Sequence, residues 1–307
     1  MLFEDVLREY EYYCLAKRYT KKTMKNKAQE HKQLKKFLIE KRGITELESI
    51  STHDLKAYVR TKHKDGLQPQ SIVSMFKMIK AFFSWCVKEG YLKENIASNV
   101  EMPKVPKKLL KGFTIKEVQN MIDAFTYKNY LEARNKAIIA MLADCGLRAI
   151  EIRRLETRSV HETSILVNGK GNKERMIFVS PALKRILIRY ERKRIEYFRG
   201  KYFNDNYYFL SYAGDMLSHV GLDNLVKKAG ERAGIKNKRV SPHTFRHFFA
   251  VQCILNGIDI YTLSKLLGHS DVTTTQRYLQ SLEDFELIKK AMPSSPLMNL
   301  NKRGDKS

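Results

Sequence analysis

Apolar residues in the first hundred positions recur at helical spacing and do not alternate. Leu34, Phe37 and Leu38 share one face of a basic segment over 21–42, which predicts a helix. Ile72, Met75, Phe76, Ile79, Phe82, Phe83 and Val87 line one face of a longer helix that begins after Pro69 and ends at Gly90. Between them, Ser51 and Asp54 form an N-terminal cap for a shorter helix through Leu55, Tyr58 and Val59, and Asp65-Gly66 breaks the chain. Four or five short helices of this kind predict a compact bundle over residues 1–102.

Residues 103–112, PKVPKKLLKG, carry two prolines and four lysines. Proline blocks helix continuation and the lysines keep the segment solvated or against phosphate, so a basic linker is expected here. The second domain is expected over 113–292, opening with a capping box at Thr114 and Glu117. Helices are predicted at 114–125, 131–144, 147–156, 181–198, 221–233, 244–256, 259–267 and 271–280. Strands are predicted at 164–168 and 175–180, around the glycine-bearing turn GKGNKE. The polar tail 293–307 is expected to be loose. The fold class is therefore mainly α with a small β-hairpin, an α+β chain of two domains.

Charge adds a functional direction. The 307 residues hold 57 Lys and Arg against 33 Asp and Glu, a formal net charge of +24. The excess is split almost evenly between residues 1–112 and the remainder, which excludes a neutral globule with one basic tail. A polyanionic partner accounts for this, since basic side chains displace counterions from phosphate backbones; solvated surface lysines are the rival reading. Cys14, Cys86, Cys145 and Cys253 form no CxxC pair, so no zinc ribbon or dithiol motif is expected, and a reducing cytoplasm fits. The acidic start MLFEDVLREY is not a signal peptide, and the apolar stretch 137–143 is too short to span a bilayer, so no membrane association is expected.

Four blocks carry the chemistry: CGLRAIEI (145–152), NGKGNKER (168–175), SPHTFRHFFA (241–250) and LLGHSDVTTTQRY (266–278). Phosphodiester exchange needs cations to neutralise the non-bridging oxygens, an acid for the departing 5′-oxygen and a nucleophile whose proton has somewhere to go. Two arginines, a turn lysine, two histidines and a tyrosine supply those parts. Singly, each has a plainer reading: a surface salt bridge for Arg148, a solvated turn lysine, a helix-ending histidine for His269, a core tyrosine for Tyr278. His243 and His247 also stand four apart, as zinc ligands do, but position 244 is Thr and no third ligand is evident.

Together, in this order, the blocks resemble the tyrosine recombinase (phage integrase) family, especially its compact Xer-like members. The likeness runs from about residue 3 to 290 and is most specific in the C-terminal blocks. It implies an N-terminal SAM-like core-binding bundle and a C-terminal catalytic domain that clamp duplex DNA. It also implies that Arg148 and Arg246 grip the scissile phosphate and that Lys170 is the general acid, with Lys173 as a rival. His243 would handle the nucleophile's proton, His269 would donate to a phosphate oxygen, and Tyr278, nine residues after His269, would be the nucleophile. Glu151 would orient Arg148 or a histidine. No metal, ATP or other cofactor is implied, because a phosphotyrosine conserves the bond energy for rejoining.

The expected partners are double-stranded DNA with specific core sites and further protomers, as a homotetramer or a hetero-tetramer with a related recombinase. Leu282, Phe285, Ile288 and Met292 line a helix face that docks on a neighbouring protomer in the family, or packs on its own domain. The family's frequent aspartate after the first arginine block is absent from residues 155–160. A site-specific recombinase for integration, excision or resolution, with a mobile-element setting favoured, is the leading reading. A type IB topoisomerase and a non-cleaving DNA-binding accessory protein are the alternatives.

Overall fold

A computed structural model describes residues 1–106, 112–169, 174–279 and 292–295 of the chain. They fall into two compact units, Met1–Lys108 and Leu109–Ser307, divided within the lysine-rich segment. Lys170, Lys173, Leu282, Phe285 and Ile288 lie outside the described residues.

The first unit is a helical bundle of α1 (Phe3–Ala16), α2 (Lys21–Arg42), α3 (Thr52–Lys64) and α4 (Pro69–Lys88), followed by a 3₁₀ turn at Ile96–Asn99. Proline opens α4, where its missing N–H costs nothing, and the apolar face of α4 is buried from Ile72 to Phe83. Leu34 and Leu38 of α2 and Leu55 and Tyr58 of α3 close on it, while Phe37, Val59 and Val87 are half-buried around them. Ser51 and Asp54 make the capping box at the start of α3, and the same Asp54 carboxylate accepts from Arg42 Nε at 2.7 Å. One feature cuts against the apolar core. His31 is buried among Tyr10 and Phe82, and neither ring nitrogen has a hydrogen-bond partner.

The second unit is built round α6 (Tyr130–Cys145), buried on nearly all sides between α8 (Pro181–Phe198) and α10 (Pro242–Leu255). This explains the apolar run 137–143: it is a core helix, and no described helix is long and apolar enough to cross a membrane. The other elements are α5 (Ile115–Asp123), α7 (Ala149–Arg153), α9 (His219–Arg232), α11 (Ile260–Leu267) and α12 (Thr273–Gln276). Among the described residues one antiparallel pair joins β1 (Ser164–Asn168) to β2 (Glu174–Phe178). The four cysteines are free and buried.

Most element ends shift by a few residues from the sequence reading, and three of the shifts have a plain cause. β2 ends at Phe178 because Ser180 caps α8, its Oγ accepting from the Leu183 N–H. α7 is shorter than 147–156: Arg148 is its N-cap, and the Leu155 carbonyl is taken by the Tyr208 N–H. α12 is only four residues, a Thr-Thr-Thr run whose β-branched side chains disfavour a longer helix. Met292–Ser294, where the tail was expected to begin, forms one 3₁₀ turn.

His31 generates a prediction. Desolvation, with Lys27 adding to it, outweighs a weaker pull from the Met78 backbone and pushes its pKa down to about 4. Below the ordinary histidine value the unfolded chain takes up a proton that the folded bundle refuses. Stability is therefore full above about pH 6.5 and falls as the pH drops towards 4, by at most about 3 kcal/mol. Urea melts of the protein followed through Trp85 from pH 7 to 4.5 should show this slope, and His31→Phe should flatten it; an equal slope in both proteins contradicts the assignment.

Candidate active site

The site is assembled by turns that the sequence enforces. α6 ends at Gly146, whose φ of 58° lies in the left-handed region. A Cβ there would meet the Phe249 ring at 2.3 Å, so only glycine fits. Its carbonyl accepts from Arg246 Nη1 at 2.9 Å. Two residues on, Arg148 begins α7 with its backbone N–H on Glu151 Oε2 at 2.8 Å and its Nη1 on Glu151 Oε1 at 2.9 Å. A turn of helix thus fixes the guanidinium through its own acidic neighbour.

α10 begins at the Ser241 cap and Pro242, and its first turns carry His243, Arg246 and His247. Arg246 is only 3% exposed. Beyond Gly146, it donates through Nη2 to the Leu267 carbonyl at 2.6 Å and to His269 Nε2 at 2.9 Å. Burial, then Arg148, push its pKa down to about 10, so it stays charged at neutral pH.

His269 follows Gly268 at the end of α11. A guanidinium only donates, so Nε2 accepts from Arg246 and Nδ1–H donates to Thr275 Oγ1 at 2.8 Å. Desolvation, followed by Arg246, Arg148 and Arg175, pushes the His269 pKa down to about 4. Thr275 is fully buried. Tyr278 comes just after α12, buried, its ring stacked on His269 at 6.2 Å between centroids and 5.4 Å from that of His247.

Arg148 Nη2 donates to the Gly268 carbonyl at 3.1 Å, next to His269. His243 lies at the exposed mouth of the site, where desolvation, Arg246 and Arg239 push its pKa down and favour the neutral, proton-accepting form. Arg148, His243 and Arg246 line one cleft of about 440 Å³, which Arg239 and Lys227 extend. The cleft is concave and strongly cationic, which suits a phosphate. His247 is buried beside Tyr278, and the described residues hold no group of three side chains able to bind a metal.

Five of the six side chains singled out in the sequence therefore come together: Arg148, His243, Arg246, His269 and Tyr278. Lys170 falls outside the described residues, between Asn168 at the end of β1 and Glu174 at the start of β2. Two residues escaped the sequence reading. Arg175 forks onto Glu151, and Thr275 sets the His269 tautomer. Period-two alternation along β2 carried the signal for Arg175, because it shares a face with the buried Ile177.

The fold and this constellation define a DNA strand-cleaving and rejoining enzyme that uses a tyrosine. Residues 111–284 match the model of the phage integrase family, and residues 7–90 match that of the phage integrase N-terminal SAM-like domain. The chain belongs to the phage integrase family of tyrosine recombinases. It is 29% identical over 240 residues to the tyrosine recombinase XerD of Listeria innocua, covering 77% of this chain and 80% of that one. It is 30% identical over 234 residues to XerC of Alcanivorax borkumensis, covering 75% of each. A lambda integrase dimer solved on a COC′ core site has the same fold, with a TM-score of 0.72 at 17% identity over 92% of this chain and 97% of that one.

The buried Thr275 hydroxyl gives a prediction. Thr275→Val keeps the shape but leaves His269 Nδ1–H without its acceptor, releasing the tautomer and ring orientation. Single-turnover DNA cleavage should slow roughly tenfold while stability falls by only about 1–2 kcal/mol. A cleavage rate equal to that of the parent would show that the hydroxyl does not position His269.

Proposed function

We propose that this recombinase breaks and rejoins duplex DNA at specific core sites through a 3′-phosphotyrosyl link to Tyr278. The observation that carries the reading is the chain of contacts from Tyr278 to His269 to Arg246, with Arg148 bonded to the backbone beside it. One phenol thus stands against a histidine that one arginine holds, with a second arginine on the adjacent backbone.

The Tyr278 oxygen attacks the scissile phosphorus and forms a P–O bond. Its proton passes to the neutral His243, whose lowered pKa leaves it free to accept. The bond from phosphorus to the 5′-oxygen breaks, and that oxygen takes a proton from Lys170, the role the family resemblance assigns. Arg148 and Arg246 neutralise the non-bridging oxygens, which gain charge on the way to the transition state. His269 contributes later than the arginines. Its Nε2 is an acceptor while Arg246 holds it, and phosphate charge raises its affinity for a proton, turning that nitrogen into a donor. The freed 5′-hydroxyl of a partner strand reverses the reaction on the phosphotyrosine, so no external energy source is used.

Residues 1–102 and the catalytic unit act together on the duplex in this reading, with the basic residues of both supplying phosphate contacts. Two such exchanges through a Holliday junction, within a tetramer of this chain or with a related recombinase, join two sites. The wide basic character of both units and the lambda integrase dimer on its core site support DNA as the partner.

The test is a nicked suicide duplex carrying a site that the protein selects from a random library. The parent should form a covalent adduct through a 3′-phosphotyrosine, and Tyr278→Phe should bind the same duplex and form none. An adduct that survives in Tyr278→Phe, or a parent that binds and never cleaves, contradicts the reading; supercoil relaxation without strand exchange would point to a topoisomerase.

A further inference from the structure

Arg175 lies on β2 opposite Val167, with its side chain only 9% exposed. All its observed bonds face the catalytic groups. Nη1 and Nη2 fork onto the two oxygens of Glu151 at 2.9 and 2.8 Å, and Nε donates to the Leu266 carbonyl at 2.8 Å. Glu151 is the residue that holds Arg148, and Leu266 lies three residues before His269. One side chain therefore ties together the hairpin, the first phosphate-gripping arginine and the end of α11. The packing round it is close: a Cβ on Gly268 would meet Arg175 Cδ at 2.9 Å, in a backbone conformation already at φ 66°.

Charge makes this more than a brace. Glu151 Oε1 accepts from both Arg148 Nη1 and Arg175 Nη1. A buried carboxylate facing one arginine forms a neutral pair, and that pair competes with an incoming phosphate for the guanidinium. With two arginines on one carboxylate the cluster stays positive, and the carboxylate's demand is met by the better placed fork, the bidentate Arg175.

We infer that Arg175 is a positioning residue for DNA cleavage, which neutralises Glu151 so that Arg148 keeps its orientation and its charge for the scissile phosphate. The inference rests on the phosphate-gripping role proposed for Arg148. Arg175 itself does not touch the reacting atoms. Its loss lets Arg148 collapse onto Glu151 as a closed ion pair and frees the Leu266 carbonyl at the end of α11.

The experiment is single-turnover cleavage of the selected suicide duplex, with DNA affinity and thermal melting measured on the same proteins. Arg175→Gln should slow first-order cleavage about 10- to 100-fold while DNA affinity changes less than about threefold, since Arg148 is one phosphate contact among many. Arg175→Lys, which keeps the charge and loses the fork, should fall between the two. Adding Glu151→Gln to Arg175→Gln removes the competing carboxylate and should recover at least about fivefold of the lost rate. That rescue separates the inference from a simple structural role, which would leave the double variant no better than the single.

If Arg175→Gln does not fold, Arg175→Lys carries the test, and a rate as low as that of Arg148→Ala overturns the inference. A parent that forms no Tyr278 adduct sinks both this inference and the site reading beneath it. A parent that cleaves normally, with Arg175→Gln equally fast or with no rescue by Glu151→Gln, sinks this inference alone.

Discussion

The carboxyl end of α11 is where three arginines of the second unit converge. Three successive carbonyls, of Leu266, Leu267 and Gly268, each accept from a different guanidinium, those of Arg175, Arg246 and Arg148. A helix ends with unpaired carbonyls and a partial negative charge, and here arginines meet both. The three side chains arrive from the hairpin, from α10 and from the start of α7. His269 follows α11 directly and stacks on Tyr278 beyond α12, so the contacts that close the helix also fix the histidine against which the proposed nucleophile lies.

The charge count at this junction explains the chemistry. Two guanidinium groups, of Arg148 and Arg175, share one carboxylate, Glu151, and Arg246 bonds only carbonyls and His269. Desolvation raises the Glu151 pKa, but the hydrogen bonds and charge of Arg175, followed by Arg148, outweigh it and hold the carboxylate ionised. Desolvation, followed by the charge of Arg246, pushes the pKa values of His243 and His269 down and favours their neutral forms. In the proposed mechanism a phosphate entering the cleft reverses the balance, drawing on the arginines and raising the proton affinity of the histidines. The proton acceptor and donor roles proposed for His243 and His269 thus both follow from one arrangement of charge.

Much of this was legible in the chain. The helical faces of α2 and α4, the capping boxes at Ser51 and Thr114, and the hairpin were readable because local pattern and tertiary burial agree there. The side chains proposed for catalysis stand in four spaced blocks, and five of the six are folded near one another. Arg175 was not legible, because a strand arginine beside a turn reads as solvated until the partner carboxylate, 24 residues earlier, is folded against it. Thr275 hid in a run of three threonines, and only burial distinguishes the one that meets His269. The ends of α7 and β2 shifted where a long-range backbone bond and a cap overrode the apolar pattern, and α12 was cut short by its β-branched threonines.

In the proposed mechanism Arg148 and Arg246 act by neutralising charge on one phosphate. Cleavage of a duplex whose scissile phosphate is replaced by an uncharged methylphosphonate tests it directly, with Arg246→Ala compared against the parent. Neutralisation predicts that the loss caused by Arg246→Ala is much smaller on the methylphosphonate than on the natural phosphate. An equal loss on both substrates would contradict it.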